Sequence, residues 1–277
     1  MHGKKLVPAF LRPALRRIYY SIKNIVEQVK KRYSLTPPES MIFVGNGDFR
    51  EIGNEFKRYF IELSNLRPNQ RVLDVGCGIG RMAVPLTRYL SQEGEYNGFD
   101  IVKSGIDWCQ THISSRFSNF HFHHVDILNK AYNPSGKLRA KDFVFPFKDN
   151  SFDFVFLTSV FTHMLPLDVE HYTSEVSRVL KQNGTCLITF FLLNEQSTDL
   201  IRLGRSTLDF KHKVQQCLTV DIDNPESAIA YHEDFVKGLF SRYKLSINEP
   251  IHYGSWCDRD MFLSYQDIVV ATKILST

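Results

Sequence analysis

The sequence predicts an α/β fold: a seven-stranded, mostly parallel sheet with an antiparallel last strand and helices on both faces. Three observations predict it. From Arg71 onward, short continuous apolar runs alternate with amphipathic stretches, the pattern of strands covered on both faces by crossover helices. A glycine-rich turn, Gly76-Cys77-Gly78-Ile79-Gly80, follows the first run, at the sheet edge where open parallel sheets bind ligands. Two closing apolar runs, residues 245–252 and 265–273, are joined by a loop without room for a helix, so they pair antiparallel.

The elements follow in order. Residues 1–33 carry nine Lys and Arg against Glu27 alone, a net +8, while Leu11, Leu15, Ile18, Ile22 and Ile25 recur at three- and four-residue steps. That is a basic amphipathic helix. It either packs its apolar face on the body or a partner subunit, or makes peripheral contact with an anionic membrane surface. Arginines interrupt every short apolar run, which argues against a signal peptide; a mitochondrial presequence stays open, although serine is scarce. Pro37-Pro38 ends the helix, giving an N-terminal helix and linker over 1–40 and a main domain over 41–277. Within the latter, residues 48–63 read as a helix and 67–70 as a turn. Strands follow at 71–75, 96–100, 120–126, 152–158 and 185–193, with helices at 81–90, 104–114 and 168–180. Residues 129–149 and 194–230 exceed ordinary connections and read as lid insertions over the carboxyl edge of the sheet. The second contains short strands around 208–220.

Charge and cysteine usage narrow the function classes. With +4 overall and +8 in the first 33 residues, the remainder is mildly acidic, which excludes a nucleic-acid partner needing a basic face. The five cysteines are scattered without CxxC or Cys/His spacing. No metal site follows from them, and a reducing, cytoplasmic compartment does, with attachment at a membrane periphery as the variant that residues 1–33 allow. No run of about 18 apolar residues occurs to span a bilayer.

The loop after the first strand reads Asp-x-Gly-x-Gly-x-Gly from Asp74 to Gly80. Glycine there lets a ligand approach the backbone. The nicotinamide fingerprint G-x-G-x-x-G fits poorly, because the third glycine comes one residue early and Arg81 stands where the last belongs. The acidic residue ahead of the glycines suits a cationic, amino-acid-bearing ligand better than a pyrophosphate. Asp100 and Asp126 end the second and third strands. Each alone reads equally as a solvated carboxylate; three acids at consecutive strand ends beside a glycine loop read as a ligand site.

On these motifs the chain, from about residue 48 to 273, resembles the class I S-adenosylmethionine (SAM)-dependent methyltransferases, whose sheet is Rossmann-like with an antiparallel last strand. The resemblance implies that SAM is the cofactor and S-adenosylhomocysteine the product. It implies that Asp74 and the backbone of Gly76, Cys77, Gly78 and Gly80 hold the methionine part. By the same resemblance Asp100 takes the ribose hydroxyls, Ile101 flanks the adenine, and Asp126 with Ile127 reads the adenine edge. The end of the fourth strand, at Ser159, borders the methyl group. That strand end lacks the Asn/Asp-Pro-Pro-aromatic and Pro-Cys signatures of enzymes that methylate amide or adenine nitrogens and cytosine carbon.

The acceptor expected is therefore a small molecule, methylated on a hydroxyl or carboxyl oxygen of a glycan, lipid or secondary metabolite. A hydroxyl acceptor requires a base and a carboxylate does not. His163, just past the fourth strand, is the candidate base; the bland alternative is a histidine capping the following helix. His232 and Glu233 are second choices. Tyr132, Asn194, His252 and Trp256 lie on loops that could line the pocket, each reading equally as structural. Two other functions compete: a non-catalytic SAM-binding module docked to a membrane or partner through residues 1–33, and an NAD(P)-dependent oxidoreductase.

Overall fold

A computed structural model describes residues 34–45 and 47–275, together with Tyr19, Tyr20 and Lys23. Apart from those three, the basic segment expected over residues 1–33 lies outside the described residues. Five strands open the main sheet: β1 (Arg71–Val75), β2 (Glu95–Asp100), β3 (Phe120–His124), β4 (Phe152–Leu157) and β5 (Leu180–Phe190). The chain then leaves for a small second sheet of β6 (Leu192–Leu193), β7 (His212–Val214), β8 (Cys217–Thr219) and β9 (Ile229–His232). It returns as β10 (Leu245–Ile247) and β11 (Asp267–Lys273). The main order is β10-β11-β5-β4-β1-β2-β3, with β11 antiparallel to both β5 and β10 and every other pair parallel. The predicted seven-stranded sheet and closing antiparallel pair are both present.

Strand composition explains the two covered faces. Along β4, Phe154 and Phe156 enter one core and Val155 and Leu157 the other, all fully buried, because side chains alternate along a strand. Helices α1 (Phe49–Glu62), α2 (Ala83–Leu86) and α3 (Lys103–Cys109) cover the first face, and α4 (Pro166–Val179) and α6 (Glu233–Arg242) the second. A short α5 (Glu195–Arg202) opens the second insertion. Helix α1 begins where Asp48 accepts hydrogen bonds from the N–H groups of Arg50 and Glu51, each 2.8 Å, an ordinary N-cap. It buries Phe49, Gly53, Phe56 and Phe60 on one stripe, and the Phe60 ring lies 4.3 Å from that of Phe156.

Some boundaries differ from those expected. The helix predicted over 81–90 is regular only at Ala83–Leu86; Pro85 cannot donate a backbone hydrogen bond, and the chain continues as turns. The helix over 104–114 finishes in one π-turn, Gln110–Ser114. The strand over 185–193 bends at Phe191, where the Leu192 N–H donates to the Asp267 carboxylate instead of to a strand neighbour. The short strands expected around 208–220 are β7 and β8, at the edge of the second sheet. The net effect sets the carboxyl ends of β1, β2 and β4 side by side, with residues 129–149 and the second sheet beyond them.

Candidate functional site

A cavity of about 800 Å³ opens at those carboxyl ends. Its floor is the loop after β1. Gly76 has φ +78° and Gly78 +56°, left-handed conformations that cost a side-chain-bearing residue strain. A Cβ on Gly76 would come within 2.5 Å of the Val160 side chain, and one on Gly78 within 2.6 Å of Val44. Gly80 serves differently. It faces Cys109 and Ile113 rather than the cavity, and permits close packing of the loop on α3 and its π-turn.

Asp74 is the centre of this end of the cavity. It is 1% exposed, its Oδ2 accepts from the Tyr96 hydroxyl at 2.5 Å, and its Oδ1 has no partner among the described residues. Burial pushes its carboxyl up to about 8; the Tyr96 bond opposes the shift and the Asp100 charge adds to it. Asp100, also buried, accepts from the Gly78 N–H at 2.7 Å and the Val102 N–H at 2.8 Å. Burial raises it too, with those backbone bonds opposing. Cys77 lines the cavity as a neutral thiol, pushed well up by burial. Arg81 borders the same space with its Nε lacking a partner, and burial lowers its pKa. Such unpaired polar groups are costly unless a ligand satisfies them.

At the other end, Ser159 holds φ +58° just after β4. Its N–H donates to Thr189 Oγ1 at 2.8 Å. The hydroxyls of Ser159 and Thr189 both donate to Gln266 Oε1, at 3.0 and 2.6 Å, so the Gln266 amide NH2 is directed away from them. His163 sits in a 3₁₀ turn after β4. Its Nδ1 lies 2.9 Å from the Glu226 carbonyl. A carbonyl only accepts, so Nδ1 donates this bond and Nε2 is the ring nitrogen left for another partner. The Tyr132 ring stands 6.4 Å from His163. Asp168 and Glu226 border this end, both raised by burial, Glu226 further by Asp168.

Of the residues expected at the site, Asp74, Gly76, Cys77, Gly78, Asp100, Ile101, Ile127, Ser159, Tyr132 and His163 line the cavity. Others are placed elsewhere. Asp126 lies beside the cavity, where its side chain accepts from Asn133 and its carbonyl from the N–H groups of Lys137 and Leu138. Asn194 caps α5 in a capping box with Ser197. Trp256 is fully buried, its indole N–H donating to Asp267 at 2.8 Å. His252 bridges to Ile268, and His232 is an exposed residue preceding α6. Glu233 is taken up by Lys237, Asn194 and Tyr253. Sequence reasoning missed Arg81, Asp168, Glu226 and Gln266 as cavity residues. Arg81 had a signal, since it interrupts the nucleotide-type glycine spacing. Gln266 had none, because its partners lie 77 and 107 residues away.

Comparison with known proteins follows the same frame. The family model described as a methyltransferase domain matches residues 66–230. The ubiquinone/menaquinone biosynthesis C-methyltransferase UbiE of Shewanella sp. (strain ANA-3) is 28% identical over 184 residues, 65% of this chain. The match spans 66% of that relative's length. Among solved structures, the PH0226 protein of Pyrococcus horikoshii OT3 superposes with a TM-score of 0.57 at 20% identity, over 88% of this chain and 99% of that one. The 1,6-didemethyltoxoflavin-N1-methyltransferase of Burkholderia thailandensis, solved with S-adenosylhomocysteine, gives 0.50 at 13% identity over 99% and 94%. These structures share the fold. The nicotinamide and non-catalytic alternatives give way to the family match, which spans the glycine loop, the first five strands and most of the second sheet: the chain belongs to the methyltransferase-domain family and is a class I SAM-dependent methyltransferase.

Proposed function

We propose that the enzyme methylates the hydroxyl oxygen of a small-molecule acceptor held between His163, Tyr132 and Gln266, with the donor on the β1 loop. The donor end fits SAM by its unsatisfied groups. A methionine moiety is zwitterionic, and the cavity offers an orphaned carboxylate oxygen on Asp74 and an orphaned guanidinium nitrogen on Arg81. Asp74 would take the ammonium and Arg81 the carboxylate. Asp100 and Ile101 would hold ribose and adenine, with Ile127 against the base; Asp126 acts by shaping that turn. When bound, SAM supplies an electrophilic methyl group on a sulfonium.

The chain's own residues do the rest. The fixed tautomer of His163 carries the acceptor reading: a neutral imidazole with Nε2 unprotonated removes the hydroxyl proton as the methyl is transferred. A carboxyl acceptor would leave that base without a task. The Gln266 amide donates to an acceptor lone pair and, with Ser159, sets the approach to the methyl. A second reading places the methyl on a carbon next to that hydroxyl, favoured by the C-methyltransferase relative; the same base serves it. Domain organisation is read as a residue 41–277 catalytic body whose insertions at 129–149 and 194–230 close over the acceptor.

The test is to incubate the protein with 13C-methyl SAM and fractionated cell extract, then identify the labelled product by NMR. A methoxy signal supports the hydroxyl reading and a C-methyl signal the second. A methyl ester or N-methyl product rejects both.

A further inference from the structure

The cavity mouth has an apolar rim, and the first insertion beside it is rich in lysine. Leu128, Tyr132 and Tyr265 line the cavity yet remain 45%, 44% and 48% exposed, so they form its rim. Leu138, bonded through its carbonyl to the Leu128 N–H, is exposed on the first insertion, and Met261 and Phe262 are exposed on the loop leading to Tyr265. Solvent-facing apolar side chains in such number around one opening mark a contact surface. Charge distinguishes what it contacts. The first insertion carries Lys130, Lys137, Arg139, Lys141 and Lys148 against Asp142 and Asp149. Among the described residues only Arg139 of these cations enters an ion pair, with Asp142. The acids on the opposite loop, Asp258 and Asp260, lie 2.7 and 3.8 Å from Arg205. Residues 1–33, with their net +8, lead into Phe43, Val44 and Gly45, which line the cavity.

We infer that this rim docks on an anionic phospholipid bilayer, and that the acceptor is an amphiphile entering the cavity from it. The second half rests on the methyltransferase reading above; the docking itself does not. Lysines near an anionic surface strengthen binding by about fivefold each, and apolar side chains inserted among the headgroups add to it. Lys130 and Lys141 also face the charges of Glu226 and Asp168, which leaves Lys137 and Lys148 as the cations of this insertion with no acid within ion-pair distance among the described residues. An anionic bilayer matches both the lysines and the exposed apolar side chains.

The experiment is flotation of the full chain with phosphatidylcholine vesicles, with and without about one third phosphatidylglycerol. Wild type partitions onto the anionic vesicles. Lys130→Glu/Lys137→Glu weakens that partition at least ~25-fold, from about fivefold per lysine removed, and S-adenosylhomocysteine affinity in the same preparation stays unchanged. Leu138→Cys gives a second readout. The five native cysteines are buried, so an environment-sensitive dye reports position 138, and its emission shifts to the blue with anionic vesicles. Equal partition of wild type and the lysine variant overturns the inference, as does a dye that keeps its solvent emission. Loss of S-adenosylhomocysteine binding in wild type would instead strike the donor reading.

Discussion

With Asp74 holding the ligand ammonium as proposed, donor binding depends on pH in a way that the surroundings of Asp74 determine. It lies within a shell of groups that give its charge little help: the Tyr96 hydroxyl, the neutral thiols of Cys77 and Cys109, and Asp100, which repels it. With its pKa near 8, about nine-tenths of the ligand-free protein carries Asp74 protonated at pH 7. If the ionised form takes the ligand ammonium, affinity falls about tenfold at pH 7 and about a hundredfold at pH 6, relative to pH 9. Calorimetry with S-adenosylhomocysteine, repeated in buffers of different ionisation enthalpy, reads this twice: in the Kd and in the release of about 0.9 proton at pH 7. The ligand-free protein has the complementary signature. Because the folded pKa lies above the unfolded one, the folded state holds the extra proton between about pH 4 and 8, and stability falls as pH rises through that window. Asp74→Asn mimics the neutral acid, so it removes this fall, becomes the more stable form at alkaline pH, and binds S-adenosylhomocysteine poorly throughout. A Kd independent of pH between 6 and 9, with no proton released, would refute the reasoning.

Other expectations follow from the same geometry. His163→Gln keeps a donor toward the Glu226 carbonyl but supplies no base, so turnover of the labelled acceptor drops about 10²–10⁴-fold while S-adenosylhomocysteine affinity holds; unchanged turnover would remove His163 from the chemistry. Gly76→Ala forces a Cβ against Val160 at φ +78°, and urea unfolding should show a loss of about 1–3 kcal/mol. Arg259→Met strips Asp267 of its ion pair, 3.0 Å within the core. The loss is about 3–5 kcal/mol at neutral pH. It shrinks at pH 5, where a carboxyl already raised by burial to about 6 takes up a proton. Equal losses at both pH values would count against a buried charge as the cause.

The glycine-loop end of the cavity was legible because it is built from local backbone rules. Glycines that must adopt positive φ, and acids that must end strands, stand at fixed offsets from runs whose apolar continuity marks a parallel sheet. The seven strands followed for the same reason. What escaped was set by distant partners. Nothing near Trp256 announces that its indole would be sealed against Asp267; Asn194 is the local exception, since the Ser197 that makes it a cap stands three residues on. His163 could be placed at the strand end from sequence, yet its tautomer depends on Glu226, 63 residues on.

The dipeptide Gln266-Asp267 shows how the two ends stay independent. Gln266 stands just before β11 and Asp267 begins it, and their side chains meet different partners. Gln266 reaches Ser159 and Thr189 at the acceptor wall, while Asp267 gathers the N–H groups of Leu192, Gly254 and Trp256 and the Arg259 guanidinium. The carboxylate that anchors the closing loop and the start of the second sheet thus also fixes the backbone that presents the amide. None of these contacts involves the β1 loop. The proposed acceptor wall comes from the residues after β4, from those just before β11 and from the insertions, and the proposed donor floor from the ends of the first two strands. Replacing residues of the closing loop can therefore change what is methylated while Asp74, Asp100 and the glycines keep their geometry. This is the physical reason that one glycine-loop floor can serve different acceptors.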